Sequence, residues 1–91
     1  MGSKHNKAFG EELRFRRDEH GLSQEEVAWR AHLSRQYVSR LELGECSPSL
    51  DTMVAVAAAL GTTLDVMIYG VSRRLTHERG DDDRVQADNA E

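Results

Sequence analysis

A chain of 91 residues with 38% hydrophobic content has room for one small domain and short tails, and no sizeable enzyme core. Its formal net charge is −4, and the acid is unevenly placed: from Glu78 onward six acidic residues face two basic ones, whereas residues 1–77 carry ten of each sign. The longest apolar run, Val54 to Leu60, is far too short to span a bilayer, and the polar first ten residues hold no secretory signal, so a soluble, cytoplasmic chain with no membrane partner is expected.

Residues 1–6 show no periodicity; Met1-Gly2-Ser3 reads as an expression scar, and the segment is expected to be flexible. A first helix is predicted over Lys7 to Glu19, with Phe9 and Leu13 on its buried face and Phe15 or Arg16-Arg17 one turn further on. Gly21 is placed to take the left-handed conformation that ends it. Arg14, Arg16, Arg17, Arg30, Arg35 and Arg40 all precede Gly44, so positive charge gathers in the first three helices.

The next stretch, Ser23 to Glu42, reads as two short helices about a tight turn. Ser23 and Glu26 form a Ser-x-x-Glu capping box for a helix over Gln24 to Ala31, whose apolar stripe is Val27, Ala28 and Ala31. Trp29 falls off that stripe; packing over the neighbouring helix is the preferred expectation, ahead of a surface aromatic flanking DNA. His32-Leu33-Ser34 breaks the pattern, and Ser34 can cap a further helix from Arg35 to Leu43, with Val38 and Leu41 inward. Arg35, Gln36, Ser39 and Arg40 are left outward. Arginine and glutamine carry the paired donors and acceptors that match guanine and adenine edges in the major groove.

After a loop from Gly44 to Ser49, a fourth helix is capped by Ser49, carries Asp51 in its first turn and ends at Gly61. Leu50, Met53, Val56, Ala57 and Leu60 form its predicted core stripe. A fifth, over Leu64 to Tyr69 with Thr63 as cap, turns Leu64 and Met67 inward. Val54, Ala55, Ala58, Val66, Ile68 and Tyr69 are then surplus apolar residues, which predicts a homodimer interface on these two helices. Residues 71–91 form an acidic extension in which Arg73-Arg74-Leu75 can prolong the helix or contact DNA; from about residue 78 the apolar-poor stretch is expected to be disordered. Cys46 has no partner for a disulfide and reads as an ordinary loop side chain ahead of a redox-sensing thiol. His5, His20, His32 and His77 show no ligand spacing with each other or with Cys46, so no metal or other cofactor is expected.

Gly21-Leu22-Ser23-Gln24-Glu25-Glu26-Val27-Ala28, Leu33-Ser34-Arg35, Val38-Ser39-Arg40-Leu41-Glu42 and Gly44, with Pro48-Ser49-Leu50-Asp51-Thr52 and Ala59-Leu60-Gly61 at matching spacing, resemble the Cro/cI (XRE, phage-repressor-like) helix-turn-helix family over Arg14 to Ile68. The resemblance implies an all-α, compact five-helix domain over residues 7–70, binding double-stranded DNA. It further implies an ion pair between Arg17 and Glu42, a phosphate contact by Gln24 at the start of its helix, and base contacts by Arg35, Gln36 and Arg40. Ser34, Tyr37 and Ser39 follow as backbone or auxiliary contacts. His32 stands where the family mostly has glycine, and tolerates positive φ better than most side chains. Glu45-Cys46-Ser47 stand where many relatives have basic residues, which should flatten the salt dependence of binding.

The main expectation is a non-enzymatic transcriptional regulator: a homodimer placing each recognition helix in a half-site, with centres about 34 Å apart on an inverted repeat. Arg35-x-Tyr37-Val38-Ser39 with Trp29 upstream also resembles restriction–modification controller proteins. The alternative is an antitoxin or other interaction module, with a toxin or RNA polymerase as protein partner and DNA binding secondary.

Overall fold

The computed structural model describes residues 3–79, with side chains to residue 77. These form five helices: α1 (Lys4–Glu19), α2 (Gln24–Ala31), α3 (Arg35–Glu42), α4 (Leu50–Ala59) and α5 (Leu64–Arg79). The expected all-α architecture is the one observed. Met1, Gly2 and residues 80–91, which hold most of the acidic stretch, lie outside the described residues.

Serine starts four of the helices. The hydroxyls of Ser3, Ser23, Ser34 and Ser49 accept the backbone N–H of Asn6, Glu26, Tyr37 and Thr52, satisfying a donor that the helix itself cannot pair. Each such cap is worth about 1 kcal/mol over alanine. At Ser23 the bond is reciprocated, because its N–H donates to Glu26 Oε1 at 2.8 Å. Every helix contributes to one core, whose fully buried members are Leu13, Val27, Val38, Leu41, Val56, Leu60 and Met67. Around it α1 packs on α3 and α5, α2 on α3 and α4, and α4 on α5. Among the described residues no single helix is long and apolar enough to cross a membrane.

The structure departs from the sequence expectations at both ends of the chain. α1 begins at Lys4 and not at Lys7, because Ser3 caps it through Asn6; no apolar periodicity marks that first turn. α5 does not stop at Tyr69. It continues to Arg79, with Val71 buried and Leu75 half-buried against the core.

Three side chains also differ. Leu50 is 61% exposed: it is the first residue of α4, and helical side chains lean toward the N-terminus, which carries it past the packed layer. Phe15 is exposed, leaving Arg16 and Arg17 to fill the next turn of the buried side. Trp29 does not wrap over a neighbouring helix. At about 100° per residue it lies some 150° from the centre of the Val27–Ala28–Ala31 stripe, and it is 82% exposed.

Candidate nucleic-acid interface

α2 and α3 are joined by His32, whose φ of 60° and ψ of 42° put it in the left-handed region. The turn closes when the N–H of Leu33 reaches back to Ala28 O at 2.8 Å. Leu33 is half-buried against the core, and Ser34 then caps α3. His32 itself is exposed.

On α3, Val38 and Leu41 are buried, and Tyr37 packs beside them half-buried. Arg35, Ser39, Gln36 and Arg40 fall in that order within an arc of about 140° on the other side. Arg35, Gln36 and Arg40 are exposed and Ser39 is half-buried. Among the described residues neither Arg35 nor Gln36 carries a hydrogen bond or ion pair, so their donors are open to a ligand. Arg40 lies 3.9 Å from Glu45, a loose pair with both side chains more than half exposed. Glu45 is the acidic loop residue noted above, and its closeness to Arg40 could not be read from spacing.

The end of α3 is tied to α1 and α2 through one carboxylate. Glu42 accepts Arg17 Nε at 2.6 Å and Nη2 at 3.1 Å, a two-pronged pair in which both side chains are largely buried. Arg17 Nη1 donates in addition to Leu22 O at 2.8 Å. The bond to Glu42 holds the Arg17 guanidinium above its ordinary pKa, with burial acting the other way. Gln24 joins the same network, because its Nε2 donates to Glu42 Oε1 at 2.9 Å. Its carboxamide has a second N–H and an oxygen, so this bond leaves capacity for a phosphate. Nothing local in the sequence pairs Gln24 with Glu42; the two are 18 positions apart.

The remaining predicted residues divide cleanly. Ser34 Oγ accepts the Tyr37 N–H at 3.0 Å as the α3 cap. Val54, Ala58, Val66, Ile68 and Tyr69 stand exposed on α4 and α5, while Ala55 is half-buried against the core. Arg73 lies against Tyr69, its guanidinium 5.8 Å from the ring centroid. Cys46 is half-buried.

Two short capped helices about a left-handed joint, the second presenting an exposed polar arc opposite the core, define a helix-turn-helix module. A family model described as helix-turn-helix matches residues 13–67, and the chain belongs to that family, of the Cro/cI (XRE) type. The chain is 39% identical over 61 residues to the HTH-type transcriptional regulator DdrOP3 of Deinococcus deserti, covering 67% of this chain and 47% of that one. It is 37% identical over 59 residues to the immunity repressor of Bacillus phage phi105, covering 65% and 41%. It thus spans less than half the length of either relative. Among solved structures, the restriction–modification controller protein C.AhdI of Aeromonas hydrophila superposes with a TM-score of 0.66 at 35% identity, covering 68% of this chain and 94% of that one. The clp gene regulator ClgR of Corynebacterium glutamicum gives a TM-score of 0.80 at 24% identity, over 91% and 88%, a likeness of fold. These relatives are named as regulators and not as enzymes.

Proposed function

We propose that this protein is a sequence-specific, double-stranded DNA-binding transcriptional regulator of the cytoplasm, acting as a homodimer on an inverted repeat. The observation that carries the reading is the arc of Arg35, Gln36, Ser39 and Arg40 on α3. Two of these residues have no partner among the described residues. Arg35 and Gln36 sit in the first turn, the end of a recognition helix that enters the major groove, and supply paired donors and acceptors for guanine and adenine. Ser34, Ser39, Tyr37 and the free capacity of Gln24 then serve phosphates or base edges. Dimerisation rests on the exposed apolar residues of α4 and α5, which a monomer would leave in water. The likeness to C.AhdI favours control of a restriction–modification system as a subtype. The exposed Trp29 favours a second reading, an interaction module of antitoxin type, whose partner would cover that ring.

Selection of bound sequences from random duplex DNA, run on wild type and Arg35→Ala together, tests the proposal. An enriched inverted repeat is expected, with affinity for it falling about 10- to 100-fold in the variant and relaxing at one base per half-site. No enrichment at low salt would refute sequence-specific regulation.

A further inference from the structure

The second half of α5 is held by α1 through contacts that the recognition surface does not use. Glu12 is only 4% exposed. One of its oxygens accepts Arg16 Nε and the other accepts Arg74 Nε at 2.8 Å. Gly70 of α5 lies against the same carboxylate: a Cβ there would overlap Glu12 Oε2 and come within 2.7 Å of Oε1. Arg74 also lies over the ring of Phe15, 5.5 Å from its centroid. Stability alone does not call for this arrangement, since packed apolar side chains commonly do as well as a buried carboxylate between guanidiniums. In some proteins such a cluster serves instead to fix one defined geometry.

The opposite side of α1 is built in the same way. At Gly10 a Cβ would overlap Leu41 O and come within 2.7 Å of Glu42 O, so the backbones of α1 and α3 touch there. Arg17 and Glu42 clamp that contact about two turns of α1 further along. Positions 10 and 12 project about 160° apart on a helix, so α1 is gripped between α3 and α5. On each side a glycine admits the neighbour closely and a carboxylate–guanidinium pair fixes it. The outer face of α5 carries Val66, Ile68 and Tyr69. A stiff path therefore runs from that face through α5 and α1 to the recognition helix.

We propose that Glu12 is a positioning residue: by seating Gly70 and Arg74 of α5 on α1, it sets the separation of the two recognition helices and hence the half-site spacing the dimer accepts. This rests on the dimeric reading given above. Base pairs follow each other at about 3.4 Å, so a displacement of that order between the recognition helices shifts the accepted spacing by one base pair.

The test presents full-length wild type, Glu12→Gln and Arg74→Gln with inverted repeats of constant half-sites whose central spacer varies by single base pairs. Sedimentation and circular dichroism follow assembly and folding. Both variants are expected to remain folded dimers reading the same half-site bases, while preference for the best spacer over its neighbours falls about tenfold. A folded variant with undiminished spacer preference overturns the proposal. So does uniform weakening across all spacers, which is what a merely structural role would produce. Should Glu12→Gln fail to fold, Arg74→Gln decides alone, since the Arg74 side chain is 30% exposed and its loss strips only one of two guanidiniums from Glu12. A wild type that sediments as a monomer, or selects a single half-site, would instead refute the dimeric reading beneath it.

Discussion

The chain contains two helical hairpins built on one kind of joint and facing the solvent with opposite chemistries. α2 and α3 meet at His32 with φ 60°, α4 and α5 at Gly61 with φ 75°. In each, an N–H just past the left-handed residue reaches back to the preceding helix: Leu33 to Ala28 O at 2.8 Å, and Thr62 to Ala57 O at 2.9 Å. The inner stripes are alike, Val27, Ala28, Val38 and Leu41 in one, Val56, Ala57, Leu60 and Met67 in the other. The outer faces are not. The first hairpin shows Arg35, Gln36 and Arg40; the second shows Val54, Ala58, Val66, Ile68 and Tyr69. Joint and inner stripe make the fold, and the outer face decides what each hairpin meets.

The largest expected effect lies where the first hairpin is anchored. Glu42→Ala leaves the Arg17 guanidinium buried with Leu22 O and exposed Asp18 as its remaining partners, and frees Gln24 from α3. Loss of one partner from such a pair costs about 3–5 kcal/mol, to be read from urea unfolding. In the second hairpin, Leu50→Ala is the contrasting control. A core leucine would lose about 2–5 kcal/mol, whereas one that is 61% exposed should lose about 0.5 kcal/mol or less. Equal losses at the two sites would erase the distinction between anchored and outward residues.

Next in size is the effect of giving the second hairpin a charged outer face. Val54→Glu with Tyr69→Glu replaces two exposed apolar side chains and touches no fully buried one. We expect the protein to sediment as a monomer and its affinity for an inverted repeat to fall about 100-fold, as avidity between half-sites is lost. Melting should change little. A dimer that survives both charges would place the interface elsewhere.

Much of this comparison was legible in the sequence, and the exceptions have two causes. Ser23-x-x-Glu26, Ser34, Ser49, Gly21 and Gly61 act on their own neighbours, so caps and joints can be read locally. The inner stripes follow the helical period. One group of features depends on partners distant in the chain, the other on helix ends where no apolar period applies. Arg73-Arg74-Leu75 offer a longer α5, but not what seats it: besides Val71 and Leu75 on the core, Arg74 meets Glu12, 62 positions away. Glu12 itself looks like one more surface acid until Gly70 makes room for it. Ser3 carries no mark as a cap, since no apolar residue falls in the turn it starts. Leu50 satisfied the period yet lies at the first position of α4, where period alone does not imply burial.

A smaller effect comes from exchanging the joints. His32→Gly removes the cost of a side chain in the left-handed region, and should stabilise the protein by about 0.5–1 kcal/mol in thermal unfolding. Gly61→His, where no neighbouring atom would obstruct a Cβ, should destabilise it by about 1 kcal/mol through the same backbone preference. Opposite signs at the two positions would show that the joints are equivalent and that His32 is tolerated strain. A loss at both would assign the His32 ring a contact of its own.

The smallest effect is shared by the hairpins and concerns acid. Glu26 is held below the ordinary carboxylate pKa, chiefly by the Ser23 N–H, and Asp65 is held low chiefly by the Thr63 hydroxyl. For a carboxyl whose pKa is depressed on folding, the contribution is present above the unfolded value and disappears as pH falls through the folded one. Both helix starts should therefore weaken together below about pH 4, the ordinary carboxylate range. Both groups stand in water, so the change is modest. Thermal melts of wild type, Glu26→Gln and Asp65→Asn from neutral pH downward separate the contributions: each variant should melt below wild type at neutral pH, and the gap should close in acid. A gap that persists undiminished at low pH would show that the shape of the cap, and not its charge, holds the helix start.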